Sequence, residues 1–273
     1  MRCYFPKHIA RVIFLVVCFS FLAINASAAC QYSLDGLYTD GESGWNIQNG
    51  GHMGSRYTTY SFNEDAPYLE EYYDEVRAGV ALWGNYISCV ESANGEGLIT
   101  LSLGEGTQLI AEVTPIPTYN SDNHVVQWTI TLYHGKFQSA CEAGLGAIVI
   151  AHELGHVFGL AHVEGEHRLM YPDLKSTQSV TADDKSGMVV MTHAHVHNNS
   201  TTYTIEQHSV AQHKKRCGVC RAFYLVNCTY SSHYHSGNYH YFQMNCSCGN
   251  NGVKQISCSP LNCPYSGGQI MQA

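Results

Sequence analysis

Residues 151–162 of the chain read AHELGHVFGLAH, and the interpretation of the whole sequence starts from this stretch. His152 and His156 are four positions apart, so on an α-helix both imidazoles lie on one face. Gly159 can end such a helix because glycine tolerates a positive φ, and a turn there would bring His162 back toward the other two. The spacing therefore predicts that His152, His156 and His162 bind one zinc ion, with a fourth position open for water.

Glu153 directly follows the first of these histidines. Zinc lowers the pKa of a bound water molecule from 15.7 to about 7, and a neighbouring carboxylate can accept the proton that this water loses. The sequence therefore predicts that Glu153 is the catalytic residue, acting first as general base and then as general acid. The alternative is a decayed site that no longer cleaves.

The pattern H-E-x-x-H-x-x-G-x-x-H resembles the metzincin clan of zinc endopeptidases. "LMYP" (169–172) supplies Met170 where that clan has a methionine turn, and its short distance after His162 is similar to the matrixin branch. "TADDKSG" (181–187) is similar to the start of the last matrixin helix. The resemblance implies an α+β fold, a metzincin-like catalytic domain with a twisted mixed sheet plus three helices. It also implies cleavage of protein or peptide substrates.

Two departures from the matrixin pattern limit what the resemblance implies. Val163 stands where matrixins have serine, and no counterpart is found of the Asp- and His-rich loop that holds structural zinc and calcium. One catalytic zinc ion is therefore expected, and no claim is made for calcium.

Hydrophobic periodicity supports an α+β catalytic region. Alternating apolar and polar residues predict strands over 56–62, 98–103 and 125–133 and, more weakly, over 107–113, and the substrate-binding edge is expected within 107–133. Apolar residues recurring every three or four positions from Leu69 to Ile87 predict an amphipathic helix. Two further helices are predicted over 144–157 and 181–192, the second with Thr181 as N-cap and Asp184 completing a capping box.

The chain begins with features typical of an exported protein. A basic start, the apolar run 12–24 and "ASA" at 26–28 predict a signal peptide over residues 1–28, and no other apolar run approaches a membrane span. A secreted protein is thus expected, while a periplasmic protein or a lipoprotein anchored through Cys30 is less favoured. The net charge of −8 argues against a nucleic-acid partner.

The predicted catalytic domain covers 29–198, and a small disulfide-rich C-terminal module covers 199–273. The module contains seven cysteines, which in an exported chain usually form disulfides: Cys217, Cys220, Cys228, Cys246, Cys248, Cys258 and Cys263. The polar stretch 193–204 is interpreted as a linker. Its histidines "HAHVH" (193–197) could bind metal, as could a zinc knot at "CGVC" (217–220), but solvated histidines and disulfides are the favoured interpretations.

A second hypothesis assigns the main function to the C-terminal module. Tyr234, Tyr239, Tyr241 and Phe242 could stack on sugars or bind a surface or matrix. The chain would then be a secreted adhesive or carbohydrate-binding protein, and its zinc domain would be inactive or secondary.

Overall fold

The computed structural model describes residues 37–48, 51–104, 108–113, 118–195, 197, 201–207, 212–236, 238–247 and 252–257. The predicted signal peptide and four cysteines lie outside the described residues: Cys30, Cys248, Cys258 and Cys263.

The described residues form fourteen strands and four α-helices. The strands are β1 (Leu37–Tyr38), β2 (Asn46–Ile47), β3 (Tyr57–Phe62), β4 (Ser88–Glu91), β5 (Gly97–Ser102), β6 (Ala111–Val113), β7 (Thr118–Tyr119), β8 (Val125–Tyr133), β9 (Leu160–Ala161), β10 (Tyr203–Gln207), β11 (Gln212–Cys217), β12 (Phe223–Ser236), β13 (Tyr239–Cys246) and β14 (Gly252–Ser257). The helices are α1 (Tyr73–Leu82), α2 (His134–Glu142), α3 (Gly146–Phe158) and α4 (Ala182–Met191), and 3-10 turns at Leu69–Tyr72 and Gly84–Tyr86 flank α1.

A mixed sheet with the strand order β4-β3-β5-β8-β6 forms the first half of the fold. Strands β4, β3, β5 and β8 run parallel, and β6 pairs antiparallel with β8 at the edge. Along β8 the side chains of Trp128, Ile130 and Leu132 are buried, as the sequence predicted, but Val126, which strict alternation places on the same face, is 42% exposed and Val125 is buried instead. The strands predicted over 56–62, 98–103 and 125–133 are thereby confirmed, whereas the weaker one is formed only at β6.

The helices cover this sheet, and α1 packs on α3. Gly79 makes the close approach possible, because a Cβ there would meet the side chain of Ile150. The buried indole of Trp83 donates to the carbonyl of Ala151 over 3.1 Å. The three predicted helices are present, with boundaries within a few residues for α3 and α4. A fourth helix, α2, was not predicted from the sequence; it forms directly after β8.

A second sheet follows, with the antiparallel order β10-β11-β12-β13-β14. The N-terminal segment connects it to the first half, since β1 pairs with β12 and β2 pairs with β9 immediately after α3. In this segment the indole of Trp45 donates to the carbonyl of Cys220 over 2.7 Å. The described residues from Leu37 onward lie in one compact unit, and the domain boundary near 198 stays a prediction.

Two expectations about the second half need revision. The linker predicted over 193–204 ends earlier, because Tyr203 and Thr204 already pair in β10. No disulfide is found between two of the described cysteines, so the disulfide framework is unconfirmed; they are Cys89, Cys141, Cys217, Cys220, Cys228 and Cys246. In the part of the chain that the structure describes, none of the helices has the length and apolar character that crossing a bilayer requires.

Candidate metal centre

The three predicted ligand histidines lie on α3 and on the chain that follows it. His152 and His156 occupy one face of this helix, which ends at Gly159 with a left-handed φ of 111°. The Gly159 N–H closes the last turn by donating to the carbonyls of Gly155 (3.1 Å) and His156 (3.0 Å). The chain then runs through β9 and returns His162 toward the helix, as the sequence predicted.

The three imidazoles converge on one point. Their Nε2 atoms are 3.2 Å (His152 to His162), 3.1 Å (His152 to His156) and 3.1 Å (His156 to His162) apart. A tetrahedral zinc ion with bonds of about 2.0–2.1 Å holds its nitrogen ligands about 3.3–3.4 Å apart, so the tripod fits such an ion closely.

Backbone carbonyls orient two of the three rings. His152 Nδ1 lies 2.7 Å from the carbonyl of Leu169, and His156 Nδ1 lies 2.8 Å from the carbonyl of Leu160. A carbonyl accepts only from a protonated Nδ1, which leaves the Nε2 lone pair directed at the common point. These contacts select the tautomer that a metal ion requires.

Burial keeps these histidines neutral. It lowers the pKa of His152 to about 3, with a further contribution from His156, and it lowers the pKa of His156 to about 4. Burial also lowers the pKa of His162. Because only neutral imidazole binds a metal ion, the site would be ready for one across the neutral pH range.

Glu153 lies in the same cleft and is 8% exposed. The pKa of its carboxyl group is raised to about 8, mainly by desolvation and also by the negative charge of Glu112, while a hydrogen bond from the Val113 backbone acts in the opposite direction. A cation held by the three histidines would favour the carboxylate form. The carboxyl group is therefore placed where it can exchange a proton with a molecule in the cleft.

The edge strand β6 and the segment after Met170 both contribute to the lining of the cleft. Residues 110–113 line it together with Tyr171, Pro172, Asp173 and Leu174. Met170 itself is fully buried, and its carbonyl accepts a hydrogen bond from the Val163 N–H over 3.0 Å. Tyr171 and Pro172, which follow the buried methionine directly, thus lie in the wall of the cleft.

Asp184 connects the start of α4 to the turn that contains Met170. Its buried carboxylate accepts hydrogen bonds from the Thr181 N–H (2.8 Å) and hydroxyl (2.6 Å) and from the Leu169 N–H (3.4 Å). Thr181 and Asp184 form the predicted capping box. The motif at 181–187 therefore supports the floor of the site.

Three further groups of potential metal ligands are present. They are His195, His197, Cys217 and Cys220; His52, His124 and His193; and His213, Cys228 and Cys246. From the sequence, "HAHVH" (193–197) and "CGVC" (217–220) were named as possible ligands, but that interpretation was not favoured. The interpretation of "HAHVH" as solvated is wrong, because His193, His195 and His197 are half-buried against these partners. Both the repeated histidines and the C-x-x-C pair were visible in the sequence, but their proximity depends on the fold.

A helix bearing two histidines, a glycine bend to a third and a buried methionine below them define a zincin-type site of the metzincin class. In agreement with this class, residues 100–191 match the model of the matrixin peptidase family. Over this stretch the chain is matrixin-like, which supports a zinc metalloprotease. No curated protein matches the chain.

Proposed function

We propose that the protein is a secreted, zinc-dependent endopeptidase in which His152, His156 and His162 hold the catalytic ion. The convergence of the three Nε2 atoms within 3.1–3.2 Å, at the base of a cleft, carries this proposal. Secretion rests on the signal sequence expected over residues 1–28 and on the resemblance to matrixins.

Glu153 performs the proton transfers of the proposed mechanism. The bound ion would supply Lewis-acid polarisation of the scissile carbonyl and a lowered pKa for the attacking water. The Glu153 carboxylate accepts the proton of that water and then delivers it to the leaving amine nitrogen. The Val113 backbone hydrogen bond lowers the pKa of this carboxyl group and so favours the carboxylate form that accepts the proton.

Strand β6 provides the surface for an extended peptide. It is the last strand in the sheet order, and residues 110–113 line the cleft beside the histidines. A peptide lying along this edge would add its backbone hydrogen bonds to the sheet, while side chains at alternate positions enter the cleft. This arrangement favours unfolded or loop segments of extracellular proteins as substrates.

Two substitutions separate the roles of the ligands and the base. Glu153→Gln is expected to keep the zinc content of the wild-type protein but lose at least 100-fold in cleavage of a peptide library, because general-base catalysis contributes about 10²–10⁴-fold. His156→Ala is expected to lose both cleavage and one equivalent of zinc. Glu142→Gln, at an exposed glutamate at the end of α2, is the matched control and should cleave normally. Wild-type cleavage that persists in a strong chelator would contradict the proposal.

The adhesive hypothesis makes the opposite prediction for the same assays. Tyr239 is 42% exposed and Tyr241 is partly buried, and the side chains of Tyr234 and Phe242 lie outside the described part of the chain. Full-length protein that binds a glycan or matrix surface but cleaves nothing in the peptide library would favour this second function.

A further inference from the structure

Two histidines and two cysteines meet between the end of α4 and the second sheet. His195 and His197 follow α4, Cys217 ends β11, and Cys220 lies in the turn before β12. One ligand atom from each lies within 4.8 Å of all the others. His195 Nε2 is 3.2 Å from Cys217 Sγ, and His197 Nε2 is 3.2 Å from Cys220 Sγ. The group is separate from the candidate catalytic centre.

The turn that carries the cysteines is shaped to present both sulfur atoms. Cys217 N–H donates to the carbonyl of Ala222 over 2.9 Å, and Arg221 N–H donates back to the carbonyl of Cys217 over 3.1 Å. The Val219 N–H points at Cys217 Sγ over 3.4 Å. A backbone N–H directed at sulfur stabilises a thiolate, which is the form that binds metal.

Both sulfur atoms are removed from solvent, and one imidazole is oriented by a neighbour. Cys217 is 1% exposed and Cys220 is 0% exposed. The Tyr224 hydroxyl lies 3.1 Å from Nδ1 of His197, an arrangement typical of an imidazole whose other nitrogen binds a metal. In a tetrahedral zinc site, nitrogen and sulfur ligands lie about 3.5 Å apart, close to the separations found here.

We propose that His195, His197, Cys217 and Cys220 bind a structural zinc ion. Two imidazoles and two thiolates are a ligand set typical of zinc, and four protein ligands fill the tetrahedron without a position for water. The site therefore has no catalytic role. The single zinc expected from the sequence is an underestimate on this proposal.

The ion would fasten the second sheet to the last helix of the matrixin-like half. His195 and His197 extend from α4, whose Asp184 supports the turn at Met170, while both cysteines belong to the β11–β12 turn. Trp45 reinforces the same junction through its bond to the carbonyl of Cys220. Loss of the ion is expected to increase proteolytic cleavage between 193 and 220.

Zinc content of the full-length protein tests the proposal. Cys217→Ser/Cys220→Ser and His195→Asn/His197→Asn should each lose one zinc per chain by mass spectrometry of the metal. Val219→Ala, at an exposed position between the cysteines, is the matched control and should keep all zinc. After Co²⁺ substitution, the cysteine variant should show weaker near-ultraviolet thiolate-to-cobalt absorption than the wild-type protein. The part that is lost is the contribution of Cys217 and Cys220.

A measurement on the wild-type chain keeps the proposal testable if these variants do not fold. Cys217 and Cys220 should resist alkylation in the native protein and become labelled after zinc is chelated, as peptide mapping would show. Recovery of the two residues in a disulfide-linked peptide, or unchanged zinc in both double variants, would overturn the proposal. Neither result depends on peptidase activity, so it leaves the proposed function untouched.

Three other histidines carry an independent inference. His52 Nε2 lies 2.7 Å from His193 Nε2, and the His52, His124 and His193 ring centroids are 4.9–5.0 Å apart. The buried Nε2 of His124 has no hydrogen-bond partner among the described residues. Backbone hydrogen bonds hold His52 and His124 in place: the His52 N–H donates to the Asn123 carbonyl, and the His52 carbonyl accepts from the Val125 N–H.

We infer that this histidine group binds a third divalent cation, in addition to the two proposed above, which a zinc probe can detect. His124→Gln and His193→Gln should each lose one zinc per chain while keeping the thiolate-to-cobalt absorption of the wild-type protein. Anomalous diffraction at the zinc edge from wild-type crystals should show an ion between the three rings. A hydrogen bond between His52 Nε2 and His193 Nε2, with no anomalous signal between the three rings, would overturn the inference.

Discussion

Gly155 and Met170 are in direct contact beneath the three histidines. Gly155 lies on α3 between His152 and His156, and a Cβ at this position would overlap the sulfur of the fully buried Met170. Because Gly155 has no Cβ, helix α3 packs closely against Met170. The distance between the helix and this side chain sets the direction of the His152 and His156 imidazoles.

Substituting Gly155 by alanine is expected to destabilise the protein and weaken zinc binding together. Overpacking costs about 1–3 kcal/mol, which outweighs the gain of about 1 kcal/mol in helix propensity. Gly135→Ala is the matched control, because that helical glycine has open space around its missing Cβ. Urea unfolding and competition with a zinc-binding dye measure the two effects. A Gly155→Ala variant as stable as the control would contradict the packing argument.

Substituting Gly159 by alanine should displace His162. The φ of 111° is unfavourable for any L-residue, and a Cβ would lie 2.9 Å from His52 Cβ and 3.0 Å from Met191 Sδ. Gly144→Ala separates backbone strain from steric overlap. Gly144 also has a positive φ (73°), but no atom lies within 4 Å of where its Cβ would be. We expect Gly144→Ala to cost about 1–2 kcal/mol from backbone strain alone. Gly159→Ala should cost more and reduce zinc content. Equal stability losses in the two variants would show that packing at the bend is unimportant.

The sequence predicted the elements whose apolar residues follow a regular period. Strands β3, β5 and β8 and helix α3 each bury a face that alternates or repeats visibly. Helix α2 was missed because it is short and buries only Phe137 and Ala140. The second sheet was missed because its strands are rich in Tyr, Cys, His and Asn, which disguise the alternation.

The candidate sites divide in the same way. His152, His156 and His162 lie within eleven residues, so local helix and turn geometry suffices to bring them together. His195 and Cys217 meet only because β10 and β11 return the chain toward α4, and sequence spacing does not encode that return. The predicted export of the chain also favoured disulfides at the C-x-x-C pair, so metal binding by these cysteines was given less weight.

Asp40 is expected to make the junction with the second sheet sensitive to acid. Hydrogen bonds from Arg216, and then from Lys214, hold the pKa of this carboxyl group well below its usual range. A lowered folded-state pKa contributes stability above the unfolded-state value of 3.8, and this stability is lost as the pH falls below it. The difference in unfolding free energy between wild type and Asp40→Asn should therefore be constant from about pH 5 to 7 and shrink below about pH 4.

Urea unfolding at each pH measures this difference. Asp65→Asn, at an exposed carboxylate, serves as the control and should follow the wild type throughout. A difference that grows as the solution becomes more acidic would have the wrong sign and would exclude Asp40 as the source.

The charge of the cleft predicts a substrate preference, given the proposed peptidase function. Glu112 and Asp173 both line the cleft, and its lining residues within the described chain include no lysine or arginine. The Tyr133 hydroxyl donates to the Glu112 carboxylate and orients it. Peptides with Lys or Arg beside the scissile bond should therefore be cleaved faster than acidic ones.

An ion pair at such a site contributes about 0.4–1 kcal/mol, so Glu112→Gln should reduce the ratio of kcat/KM for basic over acidic peptides about 2- to 5-fold. Glu166→Gln, outside the cleft, should leave the ratio unchanged. An unaltered ratio in Glu112→Gln, with zinc retained, would show that substrates do not contact this side of the cleft.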